Sequence, residues 1–153
     1  MEVRSIDVLA VQGPGTATVC HVNTGGVMGR GLALVSRARW PDQAASYRAA
    51  CRACDLVPGG LHVTPGPPDG PAWIVWAATK GRWQEPSRLE WIRDIGLGLA
   101  RWAAAERPAL LAVPALGVGC GGLSWSQVRG VLAAALEGTP GAVLSPPRPP
   151  RRR

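Results

Sequence analysis

The chain contains no phenylalanine, one tyrosine and one lysine, Lys80, against 16 arginines. No apolar stretch reaches the roughly 18 residues that a membrane-spanning helix needs, so no membrane partner is expected. The first residues carry Glu2, Arg4 and Asp7 where a secretory leader needs its apolar centre. Export is therefore not expected, and a cytoplasmic location is. There are only two histidines, His21 and His62, and four cysteines, Cys20, Cys51, Cys54 and Cys120. That supply forms no obvious disulfide framework, and the chain is too large to need one. Cys51 and Cys54 lie in an Ala/Arg-rich stretch that reads as helix, where positions i and i+3 share a face. A zinc site needs two further ligands. The thiols are read as buried or idle, and neither a metal nor a cofactor is expected.

The shortage of lysine is itself informative. Where arginine has displaced lysine almost everywhere, the survivor points to a task that a guanidinium cannot perform. An amine can lose its proton, attack carbon or form an imine. The alternative is an exposed lysine without a role.

What is present suits one globular domain. The chain has 153 residues, 46% of them hydrophobic and 18% charged, enough for a core of its own. The net charge is +7, but four arginines fall in the last six positions, which leaves about +3 on the body. A mildly basic body suits a phosphate-bearing ligand.

Strand signals occur at Ser5–Ala10, Ala17–Asn23, Leu61–Thr64, Trp73–Ala78, Leu110–Pro114 and Ala142–Ser145. A turn is expected at Gly13-Pro14-Gly15. Helices are expected over Leu32–Arg39 and Asp42–Cys54, with Pro41 at the first helical position. Two more start at S-x-x-E (Ser87–Glu90) and S-x-x-Q (Ser124–Gln127), both capping-box patterns. The first of these runs to about Glu106, with Leu89, Ile92, Leu97 and Leu99 as core candidates. Trp73, Trp76, Trp91 and Trp102 are assigned to the core, whereas Trp83 and Trp125 flank motif segments and are candidates for touching substrate. Ser145–Arg153 reads as a solvated Pro/Arg tail. Alternating strands and helices predict an α/β fold with a largely parallel or mixed sheet, over residues 1–144, followed by the tail at 145–153.

Two glycine-rich loops each follow a strand and lead into a helix: Thr24–Gly31 (TGGVMGRG) and Leu116–Gly122 (LGVGCGG). In such sheets ligands bind where loops leave the carboxyl ends of strands. Glycines let backbone N–H groups approach an anion, and a helix N-terminus favours phosphate. Neither the Walker pattern nor G-x-G-x-x-G is present. One such loop alone reads equally well as a tight turn; two in one short domain favour a diphosphate held between them. Lys80 follows a predicted strand and falls at the same rim.

Three segments, VNTGGVMGRGLAL (Val22–Leu34), TKGRWQEPSRLEWI (Thr79–Ile92) and VPALGVGCGGLSW (Val113–Trp125), resemble the macrodomain family. The likeness is to its ADP-ribosyl glycohydrolase branch, which contains DarG-type antitoxin macrodomains and the human terminal ADP-ribose glycohydrolase. It covers roughly Val3–Leu144 in order and spacing. The resemblance implies a three-layer α/β/α macrodomain with a central mixed sheet, and ADP-ribose as the ligand. It implies that Asp7 accepts from the adenine amino group, that Asn23 positions the distal ribose and that Lys80 carries out glycohydrolysis. The ligand-binding set it implies is Asp7, Thr24, Gly25, Gly26, Val27, Met28, Gly29, Gly31, Thr79, Pro114, Ala115, Leu116, Gly117, Val118, Gly119, Cys120 and Gly121.

In DarG-type members the substrate is ADP-ribose on a DNA base; in the human relative it is ADP-ribose on a protein carboxylate. The human relative has an aspartate where this chain has Gly121, as the DarG pattern does, so the sequence leans towards DNA, with thymidine-linked ADP-ribose as the expected substrate. Departures from the DarG pattern are Trp76-Ala77-Ala78-Thr79-Lys80 in place of N-F-P-T-K, Arg82 where a histidine is common, and Ser124 in the Leu-Asp-Trp triplet. DarG-type antitoxins carry a further domain that restrains a toxin, and this length accommodates only the macrodomain. Hydrolysis of ADP-ribose esters on protein Glu/Asp, and ADP-ribose binding without catalysis, are the competing readings. Nucleic-acid binding through the tail is a fourth. A monomer is expected.

Overall fold

The computed structural model describes residues 1–149; Arg151, Arg152 and Arg153 of the basic tail lie outside the described residues. The elements run β1 (Glu2–Val3), β2 (Gly13–Asn23), α1 (Gly31–Arg39), α2 (Pro41–Arg52), β3 (Leu61–Pro65), β4 (Pro71–Lys80), α3 (Leu89–Glu106), β5 (Leu110–Val113), a 3-10 turn (Gly119–Gly121), α4 (Trp125–Ala135) and β6 (Ala142–Leu144). The six strands form one sheet in the order β1-β6-β5-β2-β4-β3. Every pair is parallel except β3 with β4, so the sheet is mixed.

Helices cover both faces. Ala17, Val19, Val75 and Ala77 point to α3 and α4, where they pack with Ile92, Ile95, Leu99, Val128 and Leu132. Cys20, Val22, Ile74, Trp76 and Ala78 point the other way, onto Trp40, Ala44, Tyr47 and Ala50. A strand buried on both faces reads as a continuous apolar run rather than an alternation, and β2 and β4 show this. The Tyr47 and Trp76 rings stack 5.4 Å apart. Trp73 meets Trp102 edge-on. Burial pushes the Cys20 thiol up to about 12, so it serves as packing.

Several expected elements differ. The first strand is Glu2–Val3, and Ser5–Ala10 is not a strand. Asp7 Oδ1 accepts from the Leu9 N–H at 3.0 Å, and the Ala10 N–H bonds back to the Asp7 carbonyl at 2.9 Å. This Asx turn competes with the ladder. Gly13–Gly15 is no free turn but the start of β2, pairing Gly13 with Pro71, with a register shift before Ala17. The capping box at Ser87 does not form: Arg88 is the N-cap, and Ser87 Oγ is buried without a partner among the described residues. The Ser124 box forms, its Oγ accepting from the Gln127 N–H at 3.2 Å. Leu97 is 38% exposed; Ile95 and Gly96 face the core instead. The helix expected to Cys54 ends at Arg52, and Cys54 takes a left-handed φ of 57°.

The two ends of the described chain meet. Ser145 is buried, and its Oγ accepts from the Ile6 N–H at 3.0 Å and donates to the Ile6 carbonyl at 3.1 Å. The Arg148 guanidinium lies 3.4 Å from Asp7 Oδ1. Packed structure thus continues to Ser145, beyond which Pro147 and Arg148 are exposed beside a cleft.

Candidate functional site

β5 pairs with β2 only as far as Thr18↔Ala112. Beyond that register the two strands part, and a cleft of about 480 Å³ opens between their carboxyl ends. That volume lies within the range of ordinary ligand sites, roughly 300–1,000 Å³. Its lining includes Ile6, Val8 and Leu9 from the Asx turn, His21 of β2, Gly31, Leu32 and Val35 of α1, and Pro114, Ala115, Val118 and Gly119 after β5. Ser145–Arg148 close one end. A second hollow of about 440 Å³ lies at the C-terminal end of α3, among Ala103, Arg107, Pro108 and Gly138, and touches neither glycine-rich loop.

The cleft is bordered by an uncapped helix N-terminus. No side chain caps the N-terminus of α1, and its first turn carries no acid. Its leading N–H groups and dipole are left for an acceptor from outside the helix. Gly26 holds the first loop with a φ of 76°. Gly119 holds the second with a φ of 79°, and no atom lies within 4 Å of where its Cβ would stand. These are left-handed conformations that glycine adopts without strain.

Asn23 and Lys80 are neighbours, as register partners at the ends of β2 and β4. The Thr24 N–H is shared between the carbonyls of Lys80 (3.1 Å) and Gly81 (3.0 Å), and Thr24 Oγ1 also donates to Gly81. The lysine segment and the first glycine loop are thereby one unit. Asn23 Oδ1 accepts from the Val27 N–H at 3.2 Å and Nδ2 donates to the Val27 carbonyl at 2.9 Å. This amide pins the loop across Gly25 and Gly26, leaving one Nδ2 proton. The Asn23 carbonyl accepts from the Tyr47 hydroxyl, and the Cys51 thiol lies 3.8 Å away. Burial pushes the Tyr47 hydroxyl and the Cys51 thiol up, so both stay protonated as donors.

Of the expected ligand-binding residues, Gly31, Pro114, Ala115, Val118 and Gly119 line the cleft. Gly25, Val27 and Gly29 are exposed on the first loop, Cys120 on the second, and Asp7 stands at the rim. Met28 and Leu116 turn into the core. Thr79 is buried, donating to the Val22 carbonyl. Gly117 packs against Leu123 and Ile92, and Gly121 against Ser87. Trp83, 51% exposed, stands three residues beyond Lys80, whereas Trp125 packs on the core. No group of three His, Cys, Asp or Glu comes together as a metal site among the described residues.

Sequence reasoning missed His21 and Ser145–Arg148 as cleft residues. A histidine in an otherwise apolar strand was the available signal for the first. For the second there was none, since it depends on the chain ends meeting.

Comparison with known proteins supplies a family context. No family model matches the chain. The DNA ADP-ribosyl glycohydrolase of Mycobacterium tuberculosis is 41% identical over 135 residues, spanning 86% of this chain. The chain spans only 38% of the length of that curated relative. The solved macrodomain of Mycobacterium tuberculosis DarG superposes with a TM-score of 0.88 at 36% identity, covering 96% of this chain and 97% of that one. Thermosipho africanus DarTG in complex with ADP-ribose matches with a TM-score of 0.79 at 27% identity, over 92% of this chain and 40% of that chain.

Proposed function

This chain belongs to the macrodomain family, and on that premise we propose that it binds ADP-ribose in the cleft between β2 and β5 and removes it from modified DNA bases by glycosidic hydrolysis. What carries the reading is the pairing of the only lysine with Asn23, beside an anion-receptive cleft. The relatives named DNA ADP-ribosyl glycohydrolase support the substrate class. The likeness to an ADP-ribose complex supports the ligand.

The adenosine end lies against Ile6–Leu9 and Pro146–Arg148, with Asp7 at the rim. The diphosphate lies between the N-terminus of α1 and Val118–Gly119, where backbone N–H groups supply the charge complement. Binding energy gathered there orients the distal ribose towards Asn23 and Lys80. Two routes use the amine. Lys80 Nζ attacks C1″ as the bond to the base nitrogen breaks, the departing base takes one amine proton, and the ring opens with O4″ taking the second, giving an imine that water hydrolyses to ADP-ribose and free lysine. Or Lys80 gives a proton to the departing base while water adds to C1″. Borohydride trapping separates the routes, since only the first leaves a covalent adduct. Trp83 offers an exposed ring near Lys80 on which a neighbouring base can stack. The activity is assigned to a monomer in the cytoplasm with DNA as its partner.

Gly121 argues against the protein-ester reading. A Cβ there would come within 2.6 Å of Ser87 Oγ, so a carboxylate side chain at that position would have to displace Ser87. The experiment is incubation with thymidine-ADP-ribosylated oligonucleotide and with ADP-ribosylated glutamate peptide. Release of ADP-ribose from the oligonucleotide, abolished in Lys80→Ala, is the expected result; preferential release from the peptide refutes the DNA assignment.

A further inference from the structure

Among the described residues, three side chains lining the cleft are polar: His21, Ser145 and Arg148. Ser145 Oγ is committed to both backbone groups of Ile6. Arg148 pairs with Asp7. His21 has no partner: its Nδ1 is enclosed and accepts or donates no hydrogen bond among the described residues. Buried polar atoms are almost always satisfied, and an exception inside a ligand cleft needs a reason.

With Nδ1 enclosed, the ring's other nitrogen, Nε2, is the one left to the cleft, and it has no hydrogen-bond partner among the described residues. His21 lies three residues past the last β2–β5 register pair and lines the same cleft as Gly31 of α1 and Val118–Gly119 of the second loop. These are the backbone segments assigned above to the diphosphate. Desolvation, and secondarily the Lys80 charge, hold the imidazole down at about 4, so the free protein carries it neutral. A neutral imidazole has one N–H. Orphaned buried N–H groups are rarer than orphaned acceptors, which assigns the proton to Nε2 and leaves the enclosed Nδ1 as a bare lone pair.

We propose that His21 is a ligand-binding residue whose Nε2–H donates to a phosphate oxygen of the bound diphosphate. This rests on the cleft being the ADP-ribose site and adds to that site a side-chain donor beside its backbone donors. A neutral donor there binds the diphosphate without a second fixed cation to repel Lys80.

The chain's two histidines make the test direct. His62 sits outside the cleft with its Nε2 3.0 Å from Ser46 Oγ, and serves as the internal reference. Long-range proton–nitrogen spectra of histidine-labelled protein are recorded free and with ADP-ribose, ADP or adenosine, with binding of each measured by calorimetry. The expected result is an Nε2–H tautomer for His21, with its signals moved by ADP-ribose and ADP, unmoved by adenosine, and His62 unchanged throughout. His21→Leu is expected to bind ADP-ribose about tenfold more weakly with adenosine affinity unaltered, and His21→Gln, which keeps an N–H, to recover part of the loss. An Nδ1–H tautomer, or a His21 signal indifferent to ADP-ribose that calorimetry shows to be bound, overturns the proposal and leaves the function standing. Absence of ADP-ribose binding by the unaltered protein overturns both.

Discussion

Lys80 has a structural part in its backbone beside the role proposed for its amine: its carbonyl accepts from the Thr24 N–H, which ties the end of β4 to the first glycine loop. Substitution of the side chain leaves that tie intact. Lys80→Ala and Lys80→Arg are therefore expected to keep ADP-ribose affinity within a few-fold while the cleavage rate falls about 10²–10⁴-fold, the range of a lost acid–base group. Single-turnover cleavage together with calorimetry checks this, and a parallel loss of affinity would reassign the lysine to binding. His21 gives a second residue-scale expectation. Its folded pKa of about 4 lies below the ordinary value of 6.5. Between those values the unfolded chain takes up a proton that the folded chain refuses, so this contribution is full above pH 6.5 and is lost on acidification towards pH 4. The loss amounts to on the order of 3 kcal/mol at most. Urea titrations across that range are expected to show the slope, and His21→Gln to flatten it.

At the scale of elements, glycines in helices separate packing from propensity. Gly96 in α3 faces α4, and a Cβ there would come within 2.7 Å of Ala135 Cβ and 3.3 Å of Leu132 Cδ2. Overpacking costs about 1–3 kcal/mol, and the better helix propensity of alanine returns about 1 kcal/mol. Gly96→Ala is expected to be destabilising by about 1 kcal/mol. Gly130 in α4 has nothing within 4 Å of its Cβ position, so Gly130→Ala is expected to stabilise by up to about 1 kcal/mol. Denaturant midpoints of the two variants should move in opposite directions. The same scale explains which sequence patterns held. The Ser124 box is solvent-facing and local, so its pattern sufficed. The Ser87 box is overridden because Ser87 is drawn under Gly121, its N–H bonding the Gly121 carbonyl at 2.9 Å, and is spent on holding the second loop.

At the scale of the molecule, the chain ends close the cleft. β1 pairs with β6, and the Arg4 N–H bonds the Leu144 carbonyl at 2.9 Å. The tail then turns along the cleft through Pro147 to Arg148. A chain ending at Leu144 loses both Ser145–Ile6 bonds and one wall of the cleft. It is expected to bind ADP-ribose about tenfold more weakly, the cost of one or two such contacts, whereas a chain ending at Arg148 is expected to match the full protein by calorimetry. The Pro/Arg composition of the tail speaks only to its inability to form a core.

The amino-acid sequence by itself determined the α/β class, the positions of most strands and helices, the two glycine loops and the lone lysine, because these depend on periodicity and residue chemistry within a dozen positions. Even where the first strand was misplaced, at Ser5–Ala10, the error was local: a two-residue strand has no periodicity to read, and Asp7 diverts the backbone beside it. Only the tertiary structure decided that β2 and β5 part after Thr18, that an unsatisfied histidine stands in the opening, and that residues 139 positions apart hydrogen-bond to shape its far end. Strand order and the partners of buried polar atoms are set by contacts between distant segments, and neither periodicity nor local composition encodes them.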